Sequence, residues 1–156
     1  MGVPKLFMKR LRVFISYSGK DGKSFAIQTN NILTKLGYKT WFYPHNRTFG
    51  YLPWEEISEV ILNKTEIFLY LCTISSTNSR GQSFESEYAM VSTYLMPQLV
   101  LVDNSTCPQK LRIFNHERVS SNNFSDAINK IAQKLPAILE KTPMPKQTLK
   151  AGDISN

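Results

Sequence analysis

Short apolar runs alternate along this chain with stretches whose apolar residues recur at helical spacing, and that alternation restricts the fold more than any other feature. Val13-Phe14-Ile15, Thr40-Trp41-Phe42, residues 67–73 and residues 99–103 have the length and β-branched or aromatic content of strands. Strands separated by helical segments are the signature of βαβ units around a parallel sheet. Right-handed crossovers then predict an α/β domain: a small doubly wound sheet of five parallel strands, order 2-1-3-4-5, with helices on both faces.

The elements can be placed in order. Strand one is 12–16. The first helix covers 22–36, with Phe25, Ile32, Leu33 and Leu36 on one face and Gly37 as its stop. Strand two is 39–43, ended by Pro44. The loop 45–53 carries Arg47, Phe49 and Gly50. The second helix starts near Pro53, a residue suited to a first turn, and Glu55 and Glu56 favour that turn through the helix dipole. Ile57, Val60 and Ile61 form its apolar face. Strand three, 67–73, is continuously apolar and is expected at the centre of the sheet, covered on both sides. Residues 74–82 read as a polar loop, and the third helix as 83–95, with Phe84, Tyr88, Val91 and Leu95 in helical register. Strand four is 99–103, and a weaker strand five covers 112–115. The last helix carries the stripe Phe124, Ala127, Ile128, Ile131, Ala132 and Leu135, with Asn123 as its N-cap and Pro136 expected to kink or end it. Residues 1–10 read as an N-terminal extension, 11–140 as one domain, and 141–156 as a flexible tail or linker.

Several function classes are disfavoured. At 156 residues with 42% hydrophobic content, one domain can bury a core without staples. Cys72 and Cys107 have no metal or disulfide spacing, and Cys72 within an apolar run reads as a small buried hydrophobe in a reducing cytosol. No signal-peptide core, myristoylation pattern or membrane-spanning run is present, so a cytoplasmic domain with no membrane partner is expected. The net charge of +7 is spread along the chain without a nucleic-acid motif. It fits a solvated basic surface or an anionic small molecule better than nucleic acid.

Ligands of doubly wound sheets bind at the carboxyl ends of the strands, where the strand order reverses. Here that switch point lies between strands one and three. It gathers Ser16, Tyr17, Ser18 and Asp21, Ser75 in the loop after strand three, Glu85 at the start of the third helix, and the loop holding Tyr43, Arg47 and Gly50. Gly22-Lys23-Ser24 is not a P-loop, because Tyr17 stands where the first glycine is needed. His45 and His116 have no partner at metal-ligand spacing, so no metal site is expected.

Five segments in order carry a family resemblance. They are Val13-Phe14-Ile15-Ser16-Tyr17-Ser18 with Asp21, Leu36-Gly37 before Trp41-Phe42-Tyr43, Arg47 and Gly50 with Pro53-Trp54-Glu55-Glu56-Ile57, Ile74-Ser75, and Glu85 with Ala89. Together they resemble the Toll/interleukin-1 receptor (TIR) domain, itself flavodoxin-like, over about residues 12–139. The family holds non-catalytic adaptors that signal by homotypic assembly. It also holds enzymes, many of them prokaryotic, that cleave NAD to nicotinamide and ADP-ribose or a cyclic variant. The resemblance to the enzymes implies a catalytic glutamate at Glu85, with Glu87 as runner-up. It implies NAD as substrate with no bound cofactor, and substrate contacts from Ser16, Tyr17, Ser18, Tyr43, Arg47, Gly50 and Ser75. It also implies an assembly loop containing Phe49, Gly50, Tyr51 and Trp54, self-association, and an effector protein or fused domain in immune (anti-phage) signalling or cell suicide. One departure stands out: many enzymatic members have Trp four residues before the glutamate, where this chain has Gly81. Phe84 and Tyr88 are the rings nearest in sequence that could replace it.

One carboxylate suits that chemistry. Nicotinamide leaves a cationic pyridinium as a neutral molecule and needs no general acid, unlike an ordinary sugar leaving group, which calls for two carboxyls. What remains is to face a ribosyl oxocarbenium and hold its hydroxyls. A glutamate in a helix first turn is favoured in its ionised form, and burial opposes that.

Overall fold

The computed structural model describes residues 11–42, 53–92 and 95–141. Five strands, β1 (Arg12–Ser16), β2 (Lys39–Trp41), β3 (Ile67–Cys72), β4 (Pro97–Val102) and β5 (His116–Val119), form one sheet in the order β2-β1-β3-β4-β5. All four pairings are parallel. The sheet has the expected doubly wound, flavodoxin-like architecture. The chain leaves β1 for β2 on one side and returns to β3 on the other, which makes β1/β3 the switch point. Among the described residues four helices cover it: α1 (Lys23–Lys35), α2 (Pro53–Lys64), α3 (Arg80–Ser92) and α4 (Phe124–Lys141).

Two cores follow from the two-residue period of the strands. Val13 and Ile15 of β1, with Ile67, Leu69 and Leu71 of β3, pack under Leu33 of α1 and Phe124, Ile128 and Leu135 of α4. Phe14 of β1, with Phe68, Tyr70 and Cys72 of β3, packs under Ile57, Val60 and Ile61 of α2 and Ala89 of α3. On this second face Phe14 is paired in register with both Trp41 and Phe68, and its ring stacks on both, with centroids at 5.1 and 5.3 Å. β3 is buried at all six positions, as expected for the central strand.

Several expectations change in detail. β5 begins at His116, not at residue 112, because the apolar residues before it serve elsewhere: Leu111 is buried at the end of a short 3-10 turn, and Ile113 is 85% exposed. β5 is an edge strand with three exposed residues, charged as protected edges are, so its hydropathy is weak. Residues 74–82 are not a plain loop. Ile74–Asn78 is a 3-10 helix, and α3 starts at Arg80, three residues early. α4 neither ends nor breaks at Pro136. A proline removes the N–H that would bond the carbonyl four residues back, here Ala132. The buried Tyr38 hydroxyl donates to that carbonyl at 2.5 Å, so the helix loses a donor without leaving an orphan acceptor. Asn123 stands directly before α4, and the 3-10 turn Ser121–Asn123 that leads into the helix has its own cap, Ser120, whose hydroxyl accepts the Asn122 N–H at 3.2 Å.

Candidate functional site

The alternation that builds the two cores also aims the first site residue. Ser16 follows Phe14 onto the α2/α3 face, and there its hydroxyl donates to Glu85 Oε1 at 2.7 Å. Ser16 is fully buried and Glu85 is 7% exposed. The two residues are 69 apart in sequence and meet at the carboxyl end of β1, at the switch point.

Glu85 is not in a first turn, as expected from sequence. α3 begins at Arg80, which puts Glu85 in its second turn, and no acid occupies the first. The helix-terminus argument for ionisation is therefore weaker than the sequence indicated. Glu87, two residues on, lies about 200° around the helix. It is exposed and ion-paired with Lys110, whose ammonium also donates to Ser83 Oγ at 3.2 Å. The structure thus separates the two glutamates, one under the strand ends and one on the solvent side.

The buried face of α3 is polar. Gln82, Glu85, Ser86 and Ala89, at helical spacing, are buried, whereas Val91, read from sequence as part of the inner stripe, is 73% exposed. Phe84 and Tyr88 are half-buried, stacked on each other and turned toward α2, where Phe84 meets Trp54 at a centroid distance of 4.7 Å. Burying polar groups costs stability unless they are hydrogen-bonded. The Gln82 amide donates to the Leu71 carbonyl at 2.9 Å, but its Oε1 has no partner among the described residues. The register partner of Ser16, Tyr70, stands on the same face. Burial, with smaller contributions from the charges of Cys72, Glu85 and Cys107, pushes its phenol above the usual range, so Tyr70 is a neutral wall of the site. Burial also raises the Cys72 thiol, to about 11, which keeps it an unreactive thiol.

The rim is held by Asp21. Its two carboxylate oxygens accept from the Thr73 hydroxyl at 2.5 Å and from the Ser75 N–H at 3.0 Å, fastening the segment after β1 to the segment after β3. Gly22 permits the tight turn beneath it. Its N–H donates to Ser18 O at 2.8 Å, and a Cβ there would stand 2.9 Å from that same backbone oxygen. Ser18 is buried in this turn. Tyr17, one residue past Ser16, faces the opposite layer and meets Phe42 edge-on. Of the expected substrate contacts, Ser16, Ser18 and Ser75 are gathered at the strand ends and Tyr17 is turned away. Tyr43, Arg47, Phe49, Gly50 and Tyr51 lie outside the described residues. Sequence reasoning missed Gln82, Thr73 and Tyr70, and placed Asp21 at the switch point without its two hydrogen-bond partners. The one available signal was the recurrence of small or polar residues at 82, 85, 86 and 89.

Two hollows lie elsewhere, between β5 and α4 and at the neighbouring end of β4, of about 410 and 230 Å³; neither is lined by Glu85. Among the described residues, no cluster of His, Cys, Asp or Glu could hold a metal ion, and no helix is long and apolar enough to cross a membrane.

A TIR-domain family model matches residues 13–135, the span from the first strand to the last helix. The chain belongs to the TIR-domain family. This TIR domain also matches solved structures. One is the crystal structure of diflavin flavoprotein A3 from Nostoc sp., at a TM-score of 0.51 and 12% identity over 84% of this chain and 93% of that one. At that identity the likeness speaks for the doubly wound fold alone. A search of the curated proteins gave no match.

Proposed function

We propose that this TIR domain cleaves NAD at the nicotinamide–ribose bond, with Glu85 as the catalytic carboxylate. The observation that carries the reading is a buried glutamate at the switch point, held by a serine hydroxyl at 2.7 Å from the end of the neighbouring strand. In the reaction the bond from ribose C1′ to the pyridinium nitrogen breaks and its electron pair stays on nitrogen, neutralising the ring. The carboxylate faces the positive charge left on the ribosyl carbon and accepts from the ribose hydroxyls. Water captures the cation and gives up a proton, yielding ADP-ribose; capture by a nucleophile within the same substrate gives a cyclic product. Ser16 fixes the rotamer of Glu85, and Ser18 and Ser75 line the approach. NAD enters as substrate, and the reaction calls for no separate cofactor. The loop 45–53, with Arg47 toward the pyrophosphate and Phe49, Gly50 and Tyr51 toward a second copy, belongs to the same reading. So does a cytoplasmic role in immune (anti-phage) signalling or cell suicide, with an effector protein or fused domain.

The test is incubation of the purified chain with NAD and chromatography for nicotinamide. Glu85→Gln keeps shape and removes charge, and turnover is expected to fall about 100-fold or more, as for other electrostatic stabilisers. Glu87→Gln, on the exposed face, is expected to cost less than about threefold, since an exposed ion pair contributes little. Wild-type turnover in a folded Glu85→Gln variant would overturn the assignment. A folded chain that releases no nicotinamide at any concentration is an interaction module that signals by assembly.

A further inference from the structure

The apolar row that β3 and β4 present to α4 is interrupted once. Leu69 and Leu71 of β3 pair in register with Gln98 and Val100 of β4, and three of these four are buried in the core beneath α1 and α4. Gln98 is the exception. It is half-buried, and its amide donates to the Met96 carbonyl at 3.2 Å, just before β4 begins. The residue that an apolar row would fill is thus polar and directed to the start of its strand. A hollow of about 230 Å³ lies there, walled by Leu69, Val100, Ile131 and Leu135. The hollow of about 410 Å³ adjoins it along β5 and α4, past Arg118 and Lys130. Glu117 of β5 and Lys134 of α4 line both hollows and are paired with each other at 2.8 Å. One exposed ion pair therefore stands between an apolar chamber and a polar one.

We propose that this trough is a second binding site and that its ligand is a small amphipathic carboxylate, with an aryl or short alkyl group in the inner hollow and its carboxylate on Lys134. Size sets the apolar part. An apolar cavity of about 150 Å³ takes benzene, so 230 Å³ admits a phenyl ring with a short tether. Charge sets the head. Lys134 already holds a carboxylate, that of Glu117, and a ligand carboxylate replaces it like for like. An exposed ion pair contributes little to stability, so the exchange costs little. Lys130, one turn before Lys134 on α4, lines the outer hollow and has no ion-pair partner among the described residues, so a second cation backs the first. The Arg118 guanidinium is already taken up by the Asp103 and Ser105 carbonyls. Asp126, a further turn back, repels anions from the far end of the outer hollow and so keeps the head beside Lys134. Glu85 lines neither hollow, so the site goes beyond NAD cleavage and stands or falls without it.

The full chain is titrated with phenylpropionate, phenylpropanol and phenylpropylamine, which share one apolar body and differ in charge, and binding is followed by methyl NMR. The methyl signals of Leu69, Val100, Ile131 and Leu135 are expected to move. The carboxylate is expected to bind at least about threefold tighter than the alcohol, and the amine most weakly. Lys134→Gln is expected to bring the carboxylate's affinity down toward that of the alcohol while the alcohol's stays the same. Glu117→Gln removes the competing acid and is expected to tighten the carboxylate about twofold or more, a gain that a damaged fold does not produce. Gln98→Phe fills the inner hollow and is expected to weaken all three probes alike. Equal affinity for the three probes, a carboxylate unaffected by Lys134→Gln or weakened by Glu117→Gln, or methyl signals that stay still at millimolar probe would each overturn the proposal. The titration is expected to read the same in Glu85→Gln as in wild type, so failure of the catalytic reading and failure of this one are told apart.

Discussion

Asp21 touches no reacting group in the proposed chemistry, yet it joins the two segments that frame Glu85. Asp21→Ala removes both acceptors and is expected to cost about 1–3 kcal/mol, toward the lower end because the carboxylate is exposed to water. Asn in its place can accept from the Ser75 N–H and donate to the Thr73 hydroxyl, so Asp21→Asn is expected to retain most of that stability. Urea unfolding of the two variants checks the order, and equal losses would mean the charge matters and the geometry does not. At this scale the sequence was legible where a strand sets direction. Period two carries Ser16 to the face opposite Val13 and Ile15, and so to Glu85. The same rule turns Tyr17 away, which the motif alone did not reveal. Gln82 was illegible because a glutamine in a helix ordinarily reads as surface. Its burial depends on where α3 starts, and that start was hidden in a run of Ser, Thr, Asn and Gly.

Among the elements, α4 departs most instructively from expectation. Proline was read as a kink or an end because sequence shows the lost donor and not the tertiary donor that replaces it. That donor, Tyr38, lies 94 residues from Ala132 in sequence. Tyr38→Phe leaves a buried carbonyl unpaired and is expected to cost about 1–3 kcal/mol. In a Pro136→Ala background the restored N–H satisfies Ala132, so the same change is expected to cost at least about 1 kcal/mol less, a coupling that a double-mutant cycle in urea measures. Additive losses would refute the account. The pH dependence gives a second readout. Burial raises the Tyr38 phenol from 10.0 to about 12, so the unfolded chain ionises first and the folded chain holds more protons between those values. The stabilising contribution of Tyr38 is whole below pH 10 and is lost as pH rises toward 12. Phe cannot ionise, so the deficit of Tyr38→Phe is expected to shrink across that window.

At the scale of the whole molecule, the proposed chemistry belongs to one rim of an otherwise ordinary sheet. Strand order and the switch point were legible because alternating apolar runs and right-handed crossovers leave few topologies, and the edge strands blurred because edges carry charge in place of apolar pattern. In the proposed reading the rim shaped by one copy is completed by the 45–53 loop of another. A ribosyl cation is quenched by any water that reaches it, so a closed site favours controlled capture. Phe49, Tyr51 and Leu52 give that loop the apolar surface that a contact between copies uses, and Arg47 a partner for pyrophosphate or for a neighbour's carboxylate. The dilute chain is expected to be monomeric and weakly active. The net charge of +7 opposes close approach of copies, so added salt, which screens that repulsion, is expected to favour assembly. Nicotinamide release per molecule should therefore climb as the protein is concentrated, with light scattering rising over the same range. Gly50→Pro restricts the loop and removes a backbone donor, and is expected to abolish the climb while far-UV circular dichroism stays that of the folded sheet. A specific activity that is flat over a wide range of concentration, identical in wild type and Gly50→Pro, would mean that one copy of the domain is complete by itself.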